Sequence, residues 1–195
     1  MTITEIADIV HLCDPADIDK ARFYLQYGKG CGAKVLIVGE APAPRGWRIS
    51  GKAFYTPEGQ FLPTGKRLNE WLLSLGLTVE VCAFTELVKC YIGSRRSLLW
   101  ACAKKTWPLF VDQIEETDAS LLIILGKKTH ETFEKCIGQH IEFGKIQTIK
   151  INDRKISYLA IYHPSPISPT SRTKNAEILK EQKSKLSSLL DVPSI

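Results

Sequence analysis

The sequence predicts an α/β fold, a three-layer α/β/α sandwich around a short, mostly parallel central sheet. Three observations carry that prediction: apolar runs of strand length that do not alternate, amphipathic helical spacing between them, and turns rich in Gly or Pro where the runs end. A strand covered on both faces reads as a continuous apolar run, which is the pattern of a parallel sheet.

In chain order, a helix is expected from about Pro15 to Gln26, followed by a strand over Lys34-Val35-Leu36-Ile37-Val38. Lys66 to Leu75 places Leu68, Trp71, Leu72 and Leu75 on one helix face, with Gly76 as the stop. A weaker strand runs from Thr85 to Cys90, and helical patterns cover Ser97 to Glu116 and Lys127 to Cys136. The strand Leu121 to Leu125 separates those two helices. A last strand, Ile156 to Ile161, precedes a helix from about Asn175 to Leu190. No repeat or low-complexity segment interrupts the series.

A length of 195 residues suits a single domain spanning positions 1 to 195. The chain is 44% hydrophobic and 24% charged, and no stretch approaches the roughly 20 apolar residues of a membrane span, so no membrane role is expected. Met1-Thr2-Ile3-Thr4-Glu5 has neither the basic start nor the apolar run of a secretory signal, and a cytoplasmic monomer is expected. In that reducing compartment the six cysteines are thiols or metal ligands rather than disulfides. The net charge of +5 is unevenly spread. From Lys145 onward nine Lys/Arg stand against four acids, and from Glu86 to Phe110 five against one. Such stripes fit a nucleic-acid partner, and they also fit plain solvated faces.

Three strands end in special turns: Gly39-Glu40-Ala41-Pro42-Ala43-Pro44, Gly126-Lys127-Lys128-Thr129, and Tyr162-His163-Pro164-Ser165-Pro166-Ile167-Ser168-Pro169. Open α/β sheets bind ligands beyond the carboxyl ends of their strands, which makes the first and third turns the candidate site.

These turns resemble the signature motifs of the uracil-DNA glycosylase superfamily. Gly39-Glu40-Ala41-Pro42 is similar to the G-E-A-P-G motif of the family 4 enzymes, and His163-Pro164-Ser165-Pro166-Ile167-Ser168 to the H-P-S-P-L-S motif of family 1. Between them, Gly51-Lys52-Ala53-Phe54 resembles the G-x-P-F element, Leu87-Val88-Lys89-Cys90 the N-V-V-K-C turn, and Leu121 to Gly126 the I-V-A-L-G strand. The order is that of the family. The resemblance implies a monofunctional DNA glycosylase of base excision repair that flips uracil, or another deaminated or mismatched base, out of DNA and hydrolyses its N-glycosidic bond.

It also implies roles. His163 and Glu40 would be catalytic; Ala41, Phe54 and Glu86 would hold the base; Ser165, Pro166, Ile167, Ser168, Arg172 and Lys174 would hold DNA, with Ile167 filling the gap left by the flipped nucleotide. The chemistry itself supports Phe54 and His163 as residue types: base cleavage needs a planar side chain against the base and a donor to the charge that grows on it. Against those readings stand a core Phe54, a turn-capping His163 and an Ile167 packed into the domain. The stretch after His163 is expected to be extended through Pro164, Pro166 and Pro169.

The chain departs from the family at three points. Ala41 stands where family 1 has an Asp, leaving Glu40 either as the catalytic acid or as a brace for the loop. Glu86 occupies the position of a family 4 Asn that reads the uracil edge. An ionised Glu only accepts hydrogen bonds, so Glu86 points elsewhere, is protonated, or serves another base. Many family 4 enzymes also carry a [4Fe–4S] cluster, for which Cys13, Cys31, Cys90 and Cys102 are the candidate ligands, although the N-terminal C-x-x-C is missing. Neither a cluster nor any other cofactor is needed for the hydrolysis. Two further readings stay open: an inactive relative that binds DNA or a base, and a hydrolase of small nucleosides or nucleotides.

Overall fold

The computed structural model describes residues 24–43, 46–93 and 95–190. Six strands, β1 (Leu25–Gln26), β2 (Val35–Gly39), β3 (Ala83–Glu86), β4 (Leu121–Leu125), β5 (Gln147–Ile151) and β6 (Arg154–Ile161), form one sheet in the order β1-β3-β2-β4-β6-β5. The inner four run parallel, with Val38 opposite both Thr85 and Ile124, and Leu125 opposite Ile161. The outer two are antiparallel to their neighbours.

Every residue of β2 and β4 is buried, because helices cover both faces. On one side Leu36, Val38, Leu122 and Ile124 pack against α3 (Leu99–Thr117) and α4 (Lys127–Ile137). On the other, Val35, Ile37, Leu121 and Ile123 pack with α1 (Trp47–Ser50), α2 (Pro63–Leu73) and α5 (Pro169–Leu190). This is the three-layer sandwich expected from the non-alternating runs. Among the described residues, no helix is long and apolar enough to cross a membrane.

Several boundaries differ from expectation for identifiable reasons. Leu25–Gln26, read as the end of a helix, is instead an edge strand on β3, where the Gln26 amide donates to the Val79 carbonyl at 3.2 Å. The rest of that expected helix lies outside the described residues. The weak strand ends at Glu86, because the Leu87 and Val88 amides turn back onto the carbonyls of Gly39 and Glu40 at 2.9 and 3.0 Å. Pro63 opens α2, three residues ahead of the apolar spacing. Pro169 does not prolong the extended stretch as expected but starts α5, where a missing N–H costs nothing. The strand β5 escaped the apolar-run criterion because it is an edge that buries only alternate residues, Ile149 and Ile151. Asn152, at φ 50°, turns the chain from it into β6.

The sheet order reverses beside β2: the chain passes from β2 to β3 on one side, then to β4 on the other. A crevice at the carboxyl ends is the expected result.

Candidate active site

A cleft of about 470 Å³ opens at that crevice, lined by the ends of β2, β3 and β4 and by the turn after β6. Glu40 and Ala41 enter it from the turn after β2, Glu86 from the end of β3, Gly126 to Thr129 from the start of α4, and His163 from the turn after β6. Phe54 forms part of the wall. Five of the residues expected at the site, Glu40, Ala41, Phe54, Glu86 and His163, thus share one cavity.

Each is placed by local structure. Phe54 stands edge-on to Phe84, with ring centres 4.5 Å apart, and is half-buried rather than sealed in the core. Its backbone lies at φ 63°, a region few non-glycine residues occupy, and its carbonyl accepts from the Leu62 amide at 2.8 Å. A side chain at Gly65 would run into the Phe61 ring and the Phe54 Cβ, so the glycine keeps room for both aromatics. His163 follows a strand end clamped by Asn175: its carboxamide accepts from the Tyr162 amide and donates to the Tyr162 carbonyl, each at 2.8 Å. Gly126 passes so close that a Cβ there would lie 3.3 Å from that of His163.

The electrostatics separate the three ionisable groups. His163 opens to the cleft, yet its enclosing walls, together with the positive Arg96, hold its pKa below the ordinary histidine value. Both influences favour the neutral imidazole. Burial raises the pKa of the Glu40 carboxyl, against the opposing pull of Arg96 and Lys128. The Arg96 guanidinium meets Glu40 Oε2 at 3.2 Å. Burial pushes Glu86 up to about 8, with Lys89 pulling it down and Glu40 pushing it further up. Lys89 is itself fully buried and brought down to about 7 by burial. Its ammonium group donates to Thr85 Oγ1 at 2.6 Å and to the Glu86 carbonyl and Gln113 Oε1.

The expected DNA-binding residues lie outside this cavity. Ile167 is 89% exposed on the loop between β6 and α5, and its amide donates to Ser165 Oγ at 3.3 Å. Pro166 is exposed and Ser168 half-buried in the same loop. Arg172 pairs with Glu70 at 3.5 Å beside a separate hollow of about 210 Å³ that Ser165 also lines. Lys174 covers the Tyr162 ring at 5.1 Å.

Sequence reasoning missed Arg96 and Lys128 as cleft residues, although Arg96 fell within the basic stretch it singled out. It missed Asn175 as well, and a lone Asn in a helix gave no signal.

Among the described residues, the cysteines do not assemble a cluster site. Cys90 and Cys102 are buried, Cys31 is exposed, and Cys13 lies outside the described residues. Among the described residues, no group of three or more Cys, His, Asp or Glu side chains is arranged to hold a metal. These thiols by themselves therefore do not fit a [4Fe–4S] ligand set.

The model of the uracil DNA glycosylase superfamily matches residues 25–186. A type-4 uracil-DNA glycosylase of Archaeoglobus fulgidus is 26% identical over 176 residues, spanning 85% of this chain and 83% of that protein.

Proposed function

Because the chain belongs to the uracil DNA glycosylase superfamily, we propose that it is a monofunctional DNA glycosylase. It takes a flipped uracil, or another deaminated or mismatched base, into the cleft and hydrolyses the bond between base and sugar. The observation that carries this reading is the meeting of His163, Glu40 and Phe54 on one cavity at the carboxyl end of the sheet.

When the glycosidic bond breaks, its electron pair stays with the base nitrogen and the charge spreads onto a base carbonyl. A neutral His163 donates a hydrogen bond to that oxygen, and because it starts neutral it needs no proton from solvent to do so. Phe54 offers its ring to the face of the base. The sugar left behind is cationic, and water adds its oxygen to that carbon while releasing a proton. The Glu40 carboxylate, held by Arg96, is suited to orient that water and offset the cation. In this reading Ala41 contributes only its backbone, as its methyl group can do neither.

DNA is the partner and the chain acts as a cytoplasmic monomer. Ile167, exposed on its proline-bounded loop, occupies the space the base vacates, and an apolar wedge of this kind offsets part of an unstacking cost of a few kcal/mol. Ser165, Pro166 and Ser168 shape that loop, while Arg172 and Lys174 meet the flanking phosphates.

The test is a panel of single- and double-stranded oligonucleotides carrying uracil, hypoxanthine, xanthine or a thymine mismatch, scored for binding and for alkali-labile abasic sites, alongside the free nucleosides scored for released base. Release from at least one DNA substrate is expected. Release from free nucleosides alone would favour a small-molecule hydrolase, and binding without release an inactive relative.

A further inference from the structure

The least expected residue of the cleft is Glu86. It ends β3, is 7% exposed, and turns its carboxyl group across the end of β2, over Gly39. Among the described residues, no hydrogen-bond partner reaches its buried Oε2. Lys89, the neighbouring cation, directs its ammonium group to Thr85, Gln113 and the Glu86 backbone carbonyl. Glu40 adds a like charge from the β2 turn, and the remaining charged groups of the cleft, Arg96, Lys127 and Lys128, line it with His163.

A buried carboxylate oxygen without a donor is costly, because it has given up water and gained nothing. A carboxylic acid in the same place carries no charge, and its O–H lacks only an acceptor. Glu86 is among the residues lining the cleft, so a base that enters and turns the carboxyl group away from Gly39 can provide one.

We propose that Glu86 meets the flipped base as a neutral carboxylic acid, donating from one oxygen and accepting on the other, and so selects an edge with an N–H beside a carbonyl. This assignment rests on the glycosylase reading above. Uracil presents that edge through N3–H and O4, and hypoxanthine and xanthine present it through N1–H and O6. The ionised form accepts from the N–H but repels the carbonyl, so ionisation removes the match. The folded-state pKa is raised, so the acid form is full at low pH and is lost as pH rises through about 8. Glutamine, nearly isosteric, offers one donor and one acceptor at every pH.

Two measurements on the full chain test this. The first is the carboxyl carbon resonance of Glu86 in protein labelled at glutamate, assigned by its disappearance in Glu86→Gln. A protonated carboxyl at pH 7 with a midpoint near 8 supports the proposal, and a carboxylate at pH 7 overturns it. The second is uracil release from single-stranded DNA at pH 7 and pH 9. With a midpoint near 8, the wild-type rate should fall roughly tenfold across that interval, and that of Glu86→Gln far less. Equal pH profiles would overturn the proposal. Release accompanied by an ionised Glu86 at pH 7 would overturn this assignment alone, whereas no release at either pH would overturn the glycosylase reading and this assignment with it.

Discussion

Gly39 and Glu86 stand opposite each other in the register of β2 and β3, and Glu86 Oε2 lies where a side chain on Gly39 would begin. The strand conformation of Gly39 is open to other residues, so what the position forbids is volume. The atom in the way is the end of a side chain, which yields more readily than backbone. Gly39→Ala is therefore expected to displace the Glu86 carboxyl rather than to unfold the sheet, lowering uracil release roughly tenfold, the scale of about 1.4 kcal/mol of lost base contact. Adding Gly39→Ala to Glu86→Ala should cost little more than Glu86→Ala alone. Fully additive losses in that cycle would mean that Gly39 serves the site by another route.

Arg96 pairs with Glu40 and also disfavours the cationic form of His163, so its positive charge lowers the pKa of both groups. Arg96→Met should raise both. Nuclear magnetic resonance titration of the His163 imidazole and the Glu40 carboxyl reads each directly. An unchanged His163 midpoint would show that the guanidinium does not act across the cleft.

Ile167, at 89% exposure, has almost no packing to lose. Ile167→Ala should leave the melting temperature nearly unchanged and single-stranded activity intact, while reducing release from a paired duplex by about tenfold or more, since only a paired base must be unstacked. Equal loss on both substrates, or a melting temperature several degrees lower, would place the wedge elsewhere.

Much of this was legible in the sequence, and the exceptions follow a physical rule. The strands β2 and β4 were readable because burial on both faces leaves an unbroken apolar run, and β6 because Tyr158 to Ile161 are buried, whereas β5 is an edge strand with only Ile149 and Ile151 buried. Helix starts at Pro63 and Pro169 were missed because proline at a first turn looks locally like proline in a loop. Within the site, Glu40 and His163 stood in turns at strand ends and Phe54 and Glu86 at positions marked by the family resemblance, and the structure brings all four to one cavity. Asn175 and Arg96 reach the site from helical segments far away in sequence, and only the packing of α5 and the run before α3 brings them in. For Glu86 the sequence left a protonated carboxyl as one of three readings, because the burial and the direction of Lys89 that bear on it are set by packing.

The glycosylase reading meets its most direct test in the release of free uracil from a single-stranded oligonucleotide with one uracil, followed by mass spectrometry for wild type and His163→Ala. The expected result is free uracil and an equal amount of abasic strand from wild type, with the rate lowered roughly 10²–10³-fold in the variant, the scale of removing one preorganised donor to a developing oxyanion. Binding to the same DNA should be almost unaffected. Wild-type protein that binds this DNA yet releases no uracil would contradict a glycosylase, and a His163→Ala variant that releases it at the wild-type rate would contradict the role of His163.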